Sequence, residues 1–192
     1  MKLVKLFDAQ RKLDEHITRK KGLEGQDLFA KKILALLVEL GELANEWRGF
    51  KFWSNNQEPR TRHVEPDIEH FDKTREARWK ESNPLLEEYV DCLHFILSIG
   101  LELGIDEVAD ELEFKKHYFL SSNTTLSCFI GLNYDIANLY YQRDDEDNVY
   151  LYESIFSEVI SLGEMLGFTW EQVEEAYFQK NAVNHERQTN GY

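Results

Sequence analysis

Four carboxylates stand where an apolar sequence has little reason to carry them. The stretch Ile33-Leu34-Ala35-Leu36-Leu37-Val38-Glu39-Leu40-Gly41-Glu42-Leu43-Ala44 is apolar nearly all round, save for Glu39 and Glu42. A second stretch, residues 85–97, sets Glu88 and Asp91 among Leu85, Tyr89, Val90, Leu93, Phe95, Ile96 and Leu97. In each, the two acids lie three residues apart, so on a helix they project from the same side. A helix that is apolar all round is buried. A buried carboxylate without a partner must become protonated or paired. Neither stretch offers a basic residue at a spacing that would neutralise its acids locally. Two antiparallel helices would bring all four acids together, and four carboxylates around one point repel unless a cation sits there. Oxygen-only ligands suit a hard cation, Mg²⁺ by default with Mn²⁺ as a substitute. No Cys/His cluster suggests structural zinc. A single acid pair of this kind is usually a solvated helix face; the repetition in two apolar stretches is what points to a metal site. The flanking Glu46 and Glu87 read as solvated or as supports for the ligands.

The elements that must position these acids are helical. Leu3, Leu6, Phe7, Leu13 and Ile17 approximate a 3.6-residue period over residues 2–20. Gly22 and Gly25 break that helix, and Asp27 can cap a second one reaching Trp47. Residues 49–83 hold Pro59 and Pro66, many charges and few aliphatic side chains. They read as an inserted loop or lid, with a short helical piece around 67–80. Ser82 or Asn83 caps a third helix, with Pro84 in its first turn, running to about residue 103. Further helices are expected over 106–118, 124–142 and 149–166. Thr169 and Gln172 have capping-box spacing and open the last, to about 186. The helices over 124–142 and 149–166 read as a hairpin away from the acids. No strand-like alternation and no internal repeat stands out. The expected fold is all-α, one domain with a four-helix metal-binding core.

Composition narrows the function. A chain of 192 residues with 42% hydrophobic and 13% aromatic residues can bury a core. A formal net charge of −14 argues against a nucleic-acid duplex or an anionic membrane as partner. It permits an anionic small molecule if metal ions stand between its phosphates and the carboxylates. Two cysteines, Cys92 and Cys128, make no disulfide framework and point to a reducing cytoplasm. Charges interrupt the N-terminal apolar stretch too early for a signal peptide. No apolar run approaches the roughly 18 residues of a membrane span.

The motifs Glu39-Leu40-Gly41-Glu42 and Glu88-Tyr89-Val90-Asp91 resemble the ExxE…ExxD signature of the all-α NTP pyrophosphatases, which include MazG-type enzymes. Three further features resemble the dimeric dUTPase branch. These are the N-terminal segment with Gln10 and Asp14, the contexts of Lys51, Trp53, His94 and Phe95, and a tail with Lys180, Asn181, Asn184, Arg187, Gln188 and Tyr192. The spacing from Glu42 to Glu88 is longer than in relatives with a short connector, and Asp14 stands where several relatives have Asn.

The resemblance implies hydrolysis of dUTP to dUMP and pyrophosphate by a cytoplasmic homodimer, and leaves open whether dUDP is cleaved too. It implies that Glu39, Glu42, Glu88 and Asp91 hold two or three Mg²⁺ ions, with Glu39 as the general base. Lys180 and Arg187, with Lys51 as a weaker third, would meet the phosphates. Phe95 or Trp53 would stack on uracil, while Gln10 and Asn184 read its edge. His94 stands beside the base or behind a ligand, and Asn181 orients sugar or phosphate. Core packing is the competing reading for Phe95, Trp53 and His94. A dCTP-type or MazG-like pyrophosphohydrolase would share the metal site, and a helical interaction protein would lack one. A di-iron bundle would want Glu-x-x-His pairs, which this chain lacks.

Overall fold

Eleven of the nineteen residues of one helix, α4 (Pro84–Glu102), are buried, and the other helices are arranged around it. In a computed structural model, which describes residues 3–108, 124–145 and 148–191, the remaining helices are α1 (Leu3–Lys21), α2 (Phe29–Trp47), α3 (Ile68–Thr74), α5 (Thr125–Tyr141), α6 (Asn148–Met165) and α7 (Trp170–Asn190). Helix α4 packs on α1, α2, α6 and α7; α2 also packs on α5, and α5 on α6. One hydrophobic core joins them. The all-α expectation holds.

Local sequence explains most of the boundaries. Asn83 caps α4 by accepting from Leu86 N, and Pro84 occupies its first turn. Thr169 and Gln172 form the expected capping box of α7. Asp27 accepts from Phe29 N at the start of α2.

Helices α4 and α6 are locked reciprocally. The Tyr89 hydroxyl on α4 donates to Val159 O at 2.8 Å, and the Tyr152 hydroxyl on α6 donates to Ile96 O at 3.0 Å. Each hydroxyl lies over a glycine of the opposite helix. A Cβ on Gly163 would meet the Tyr89 hydroxyl at 2.6 Å, and one on Gly100 would meet that of Tyr152 at 2.5 Å.

Four expectations need correcting. Within residues 49–83 a two-stranded antiparallel sheet forms, β1 (His63–Pro66) with β2 (Trp79–Ser82), enclosing α3. Both strands are four residues long and face solvent almost throughout, so no apolar alternation marks them. Helix α7 continues past residue 186 to Asn190, ending at Gly191 with a left-handed φ of 83°. The start of the expected 106–118 helix is a 3₁₀ turn, Ile105–Val108, and its remainder lies outside the described residues, as does Tyr192. Finally, α2 is buried on one face only. Phe29, Ile33, Leu36, Leu40 and Leu43 enter the core, while Leu34 and Val38 are 64% and 51% exposed.

Candidate active site

Helices α2 and α4 run antiparallel and face each other with two stripes at 3- and 4-residue spacing, Lys32, Ala35, Glu39 and Glu42 against Glu88, Asp91, Phe95 and Ser98. Contacts fix the register. Lys32 Nζ lies 3.5 Å from Ser98 O at one end, and Glu39, Glu42 and Glu88 converge at the other. Each of the three glutamates offers a carboxylate oxygen, and these oxygens lie within 4.8 Å of one another.

Asp91 is not one of this trio. Its Oδ2 accepts from Lys180 Nζ of α7 at 2.5 Å, and both side chains are about four-fifths buried. Burial, and then the negative charges of Asp91 and Glu42, push the Glu39 carboxyl up to about 7. Burial followed by Asp91, Glu42 and Glu39 pushes Glu88 to about 7 as well, with Lys180 opposing both shifts. The trio is crowded and all oxygen, and among the described residues no basic side chain forms an ion pair with it, which fits a hard divalent metal.

One turn along the stripes from Glu39 a cavity of about 290 Å³ opens, lined chiefly by apolar atoms of Ile17, Leu28, Ala35 and Phe95, with Asp14, Thr18, Ser98, Lys31 and Lys32 as the residues that carry polar groups. Asp14 is held from three sides. Gln10 Nε2 donates to its Oδ1 at 2.7 Å, and Ser98 Oγ and Lys32 Nζ donate to its Oδ2 at 2.5 and 3.2 Å. Lys32 also pairs with Glu102 at 2.6 Å. Gln10 is 3% exposed and lies behind Asp14. Its Oε1 accepts from the Tyr177 hydroxyl at 2.9 Å and lies 2.8 Å from His94 Nδ1. Because that oxygen can only accept, His94 carries its proton on Nδ1. The imidazole stacks on Tyr177, and burial, then Lys180, lowers its pKa to about 3.

Helix α7 supplies further polar groups. Lys180, Asn184 and Arg187 share a face by spacing, and Arg187 Nη1 donates to Asn184 Oδ1 at 3.3 Å. Asn181 is buried and turns the other way, donating to Ala9 O at 3.5 Å. Beyond the end of α2, Lys51 bonds Asn45 Oδ1, one turn past Glu42. Trp53 is 65% exposed and packs edge-on against Phe50 and Phe52, not in the cavity with Phe95. Glu46 pairs with Arg60 at 2.9 Å, and the Arg60 carbonyl accepts from Leu85 N, so residues 49–83 are tied to both acid-bearing helices.

A family model for dUTPase matches residues 2–74 and 73–192, which together span nearly the whole chain. The chain belongs to the all-α dUTPase family. It is a dUTP diphosphatase, a hydrolase of nucleotide metabolism. Direct comparison with curated proteins gives no match. Enzymes of this family use a divalent metal, and Glu39, Glu42 and Glu88 form an acidic cluster that could hold one.

Sequence reasoning missed Lys32, Ser98 and Tyr177. Two of these had a signal. Lys32 lies seven residues before Glu39, and Ser98 seven after Asp91, so each continues its acid stripe by two turns. Tyr177 reads as an ordinary core aromatic, and only the fold shows its hydroxyl on Gln10.

Proposed function

We propose that the enzyme hydrolyses dUTP to dUMP and pyrophosphate with Mg²⁺ held by Glu39, Glu42 and Glu88 and joined by Asp91. The observation that carries this reading is the convergence of three acids from two antiparallel helices, one turn from a cavity suited to a flat base. A divalent cation there would neutralise charge developing on the phosphoryl oxygens. The chain's own residues do the rest. Phe95 lines the base cavity, with Gln10 and His94 behind Asp14. Lys180, Asn184 and Arg187 present one polar face to the triphosphate, and Lys51 approaches from the end of α2; arginine suits bidentate phosphate contact. Asn181 holds α7 on α1 so that this face stays aligned.

Glu39 takes a proton from the attacking water. The water oxygen bonds to phosphorus, the bridging P–O bond between the α- and β-phosphates breaks, and pyrophosphate leaves. Burial and the neighbouring carboxylates push the Glu39 carboxyl up to about 7 without metal; a bound cation would lower it, leaving Glu39 ionised and able to accept a proton at neutral pH. Glu88 is displaced equally, and family resemblance favours Glu39 over it.

The working form we propose is a homodimer. Leu34 and Val38 on α2, with Ile130 and Tyr134 on α5, are 64%, 51%, 64% and 69% exposed, and α2 packs on α5. Two adjacent helices with uncovered apolar faces are what a second copy would bury. Residues 49–83 lie beside α2 and bring Trp53 and Phe52 to the surface, where they could act as a lid. Buried free Cys92 and Cys128 accord with a cytoplasmic setting. Among the described residues no helix is long and apolar enough to cross a membrane.

The deciding experiment is a panel of deoxynucleoside di- and triphosphates with Mg²⁺ and product identification. Pyrophosphate and dUMP from dUTP are expected, and dUDP tests the second substrate. Release of inorganic phosphate from dUTP, or faster turnover of dCTP, would sink the reading.

A further inference from the structure

Helix α7 outruns its packing. Its buried residues are Val173, Tyr177 and Asn181, and no residue from 182 to 191 is buried. A helix end without apolar footing frays unless something ties it down. Here the tie is a pair of histidines. Tyr177, Asn181 and His185 follow one another at one-turn spacing along the stripe that faces α1. The Tyr177 hydroxyl donates to Leu6 O at 3.3 Å, Asn181 Nδ2 donates to Ala9 O at 3.5 Å, and His185 Nδ1 lies 2.9 Å from His16 Nδ1. The two imidazoles are inclined by 24° with centroids 5.2 Å apart. That separation is the distance between the nitrogens plus roughly a ring radius at each end. The rings therefore meet edge to edge, close to one plane, with the two nitrogens facing each other.

Such a contact is an N–H···N hydrogen bond and needs one proton between the nitrogens. With both rings neutral, one carries its proton on Nδ1 and donates, and the other carries it on Nε2 and accepts. A first added proton leaves a charged donor on a neutral acceptor, which strengthens the bond. A second puts an N–H on both facing nitrogens, so two cations meet with no acceptor between them. The pair titrates as a unit, closed with none or one added proton and open with two. The surroundings do not relieve the repulsion. Lys12 and Lys20 stand one turn before and after His16, and Lys12 lines the groove beside His185 with Lys5 and Asp8. Asn181 and Gln188, about a turn on either side of His185, are neutral. Glu15 and Arg19 line a different cleft with Asp14, and Glu186 is exposed. Burial, and then His16, lower the His185 pKa.

We propose that His16 and His185 are positioning residues for the hydrolysis: one proton held between them docks the last turns of α7 on α1 and so sets Asn184 and Arg187 at the triphosphate, and a second proton releases them. This rests on the reading of Asn184 and Arg187 as triphosphate contacts. Asn184 precedes His185, Arg187 follows it by two positions, and Arg187 Nη1 donates to Asn184 Oδ1, so fixing residue 185 fixes both. The docked pair takes up fewer protons than two free histidines, so acid favours the undocked arm below the ordinary histidine value of about 6.5.

The test follows kcat and KM for dUTP from pH 5.5 to pH 8 at saturating Mg²⁺, in wild type, His16→Asn and His16→Leu of wild-type helical circular dichroism. Asparagine keeps a group that can bond His185 Nδ1 but does not titrate. His16→Asn should stay within about twofold of wild type at pH 8 and exceed it by about threefold or more at pH 5.5, the acid loss common to both cancelling in the ratio. His16→Leu should lose about threefold to tenfold in kcat/KM at pH 8, mostly through KM, the loss expected for one hydrogen bond. Amide exchange at pH 7 should quicken in His16→Leu after Asn181 and nowhere else. A ratio of His16→Asn to wild type that stays constant from pH 5.5 to pH 8 overturns the proton latch. Unchanged amide exchange after Asn181 in His16→Leu overturns the docking role. Arg187→Met, measured alongside, tests the underlying reading. If it leaves kcat/KM unchanged while His16→Leu quickens exchange, the arm is docked as described but does not meet the triphosphate, and the positioning role falls with that reading.

Discussion

Lys180 of α7 and Asp91 of α4 form an ion pair at 2.5 Å on the rim of the acid cluster, 89 positions apart in the chain. The pair puts the one basic side chain closest to the cluster on the one acid that does not converge with the other three. A lysine in that place competes with a metal for Asp91 and is also positioned to meet phosphate.

Replacing Lys180 by Met should therefore act in opposite directions on two measurements. Calorimetry should show divalent-metal affinity rising several-fold, while kcat/KM for dUTP falls by about tenfold or more, as expected when a charged hydrogen bond is lost. Arg187→Met removes the same charge farther from Asp91, so it should lower kcat/KM without raising metal affinity. Equal metal affinities in wild type and Lys180→Met would show that the ion pair does not compete with the metal.

Glu39 and Glu42 lie on one helix face, but the proposed roles differ. Glu39→Gln should lower kcat by about 10²–10⁴, the range for a lost general base. Its metal affinity should fall much less than that of Glu42→Gln. Near-normal turnover of Glu39→Gln at saturating Mg²⁺ would hand the base role to Glu88.

Protonation links the acid cluster to stability. Glu39 and Glu88 titrate at about 7 in the fold, above their ordinary value. The folded state thus binds protons more tightly than the unfolded chain, and their contribution is fully present below about pH 4.5 and lost as pH rises through 7. Urea denaturation of metal-free protein should show stability falling between pH 5 and pH 8. Mg²⁺ should recover much of the loss at pH 8, and its binding near pH 6.5 should release protons. Buried Glu158 on α6, raised above the ordinary carboxylate range by burial and then by Asp135, adds a slope in the same direction that Mg²⁺ leaves untouched and Glu158→Gln removes. A flat profile from pH 5 to pH 8 in the metal-free protein would contradict this account.

The uncovered faces of α2 and α5 give a prediction on assembly. Sedimentation should find a dimer, and Ile130→Glu combined with Leu34→Glu should produce a monomer with unchanged helical circular dichroism. A monomeric wild type at micromolar concentration would refute the dimer.

Much of this was legible from the residues. Apolar periodicity located α1, nearly continuous apolar runs located α2 and α4, and capping chemistry placed the starts of α4 and α7. The acid spacing led to Glu39, Glu42 and Glu88, because a carboxylate in an apolar helix needs a reason. What was hidden depended on pairing in space. The β1–β2 hairpin buries no face, so it leaves no pattern. The end of α7 reads as a polar tail because its last turns cover little of the core. Trp53 has the composition of a stacking residue, yet stands in a loop among Phe50 and Phe52. Gln10 reads as a residue for the base edge, but its burial behind Asp14 follows only from how α1, α4 and α7 meet.

The crossing of α4 and α6 carries a consequence for how this enzyme can diverge. Tyr89 with Gly163, and Tyr152 with Gly100, are two lock-and-key pairs whose halves sit on different helices. A larger residue at Gly163 has nowhere to go unless Tyr89 shrinks in the same lineage, and one at Gly100 needs Tyr152 to shrink and Phe7, 2.9 Å from the added Cβ, to give way as well. Loss of a tyrosine alone opens a void that an enlarged glycine position could refill. The four positions should therefore drift as two coupled couples and not as four independent sites. Because α4 also bears Glu88, Asp91 and Phe95, any lineage that rewrites one couple shifts the footing of its own chemistry.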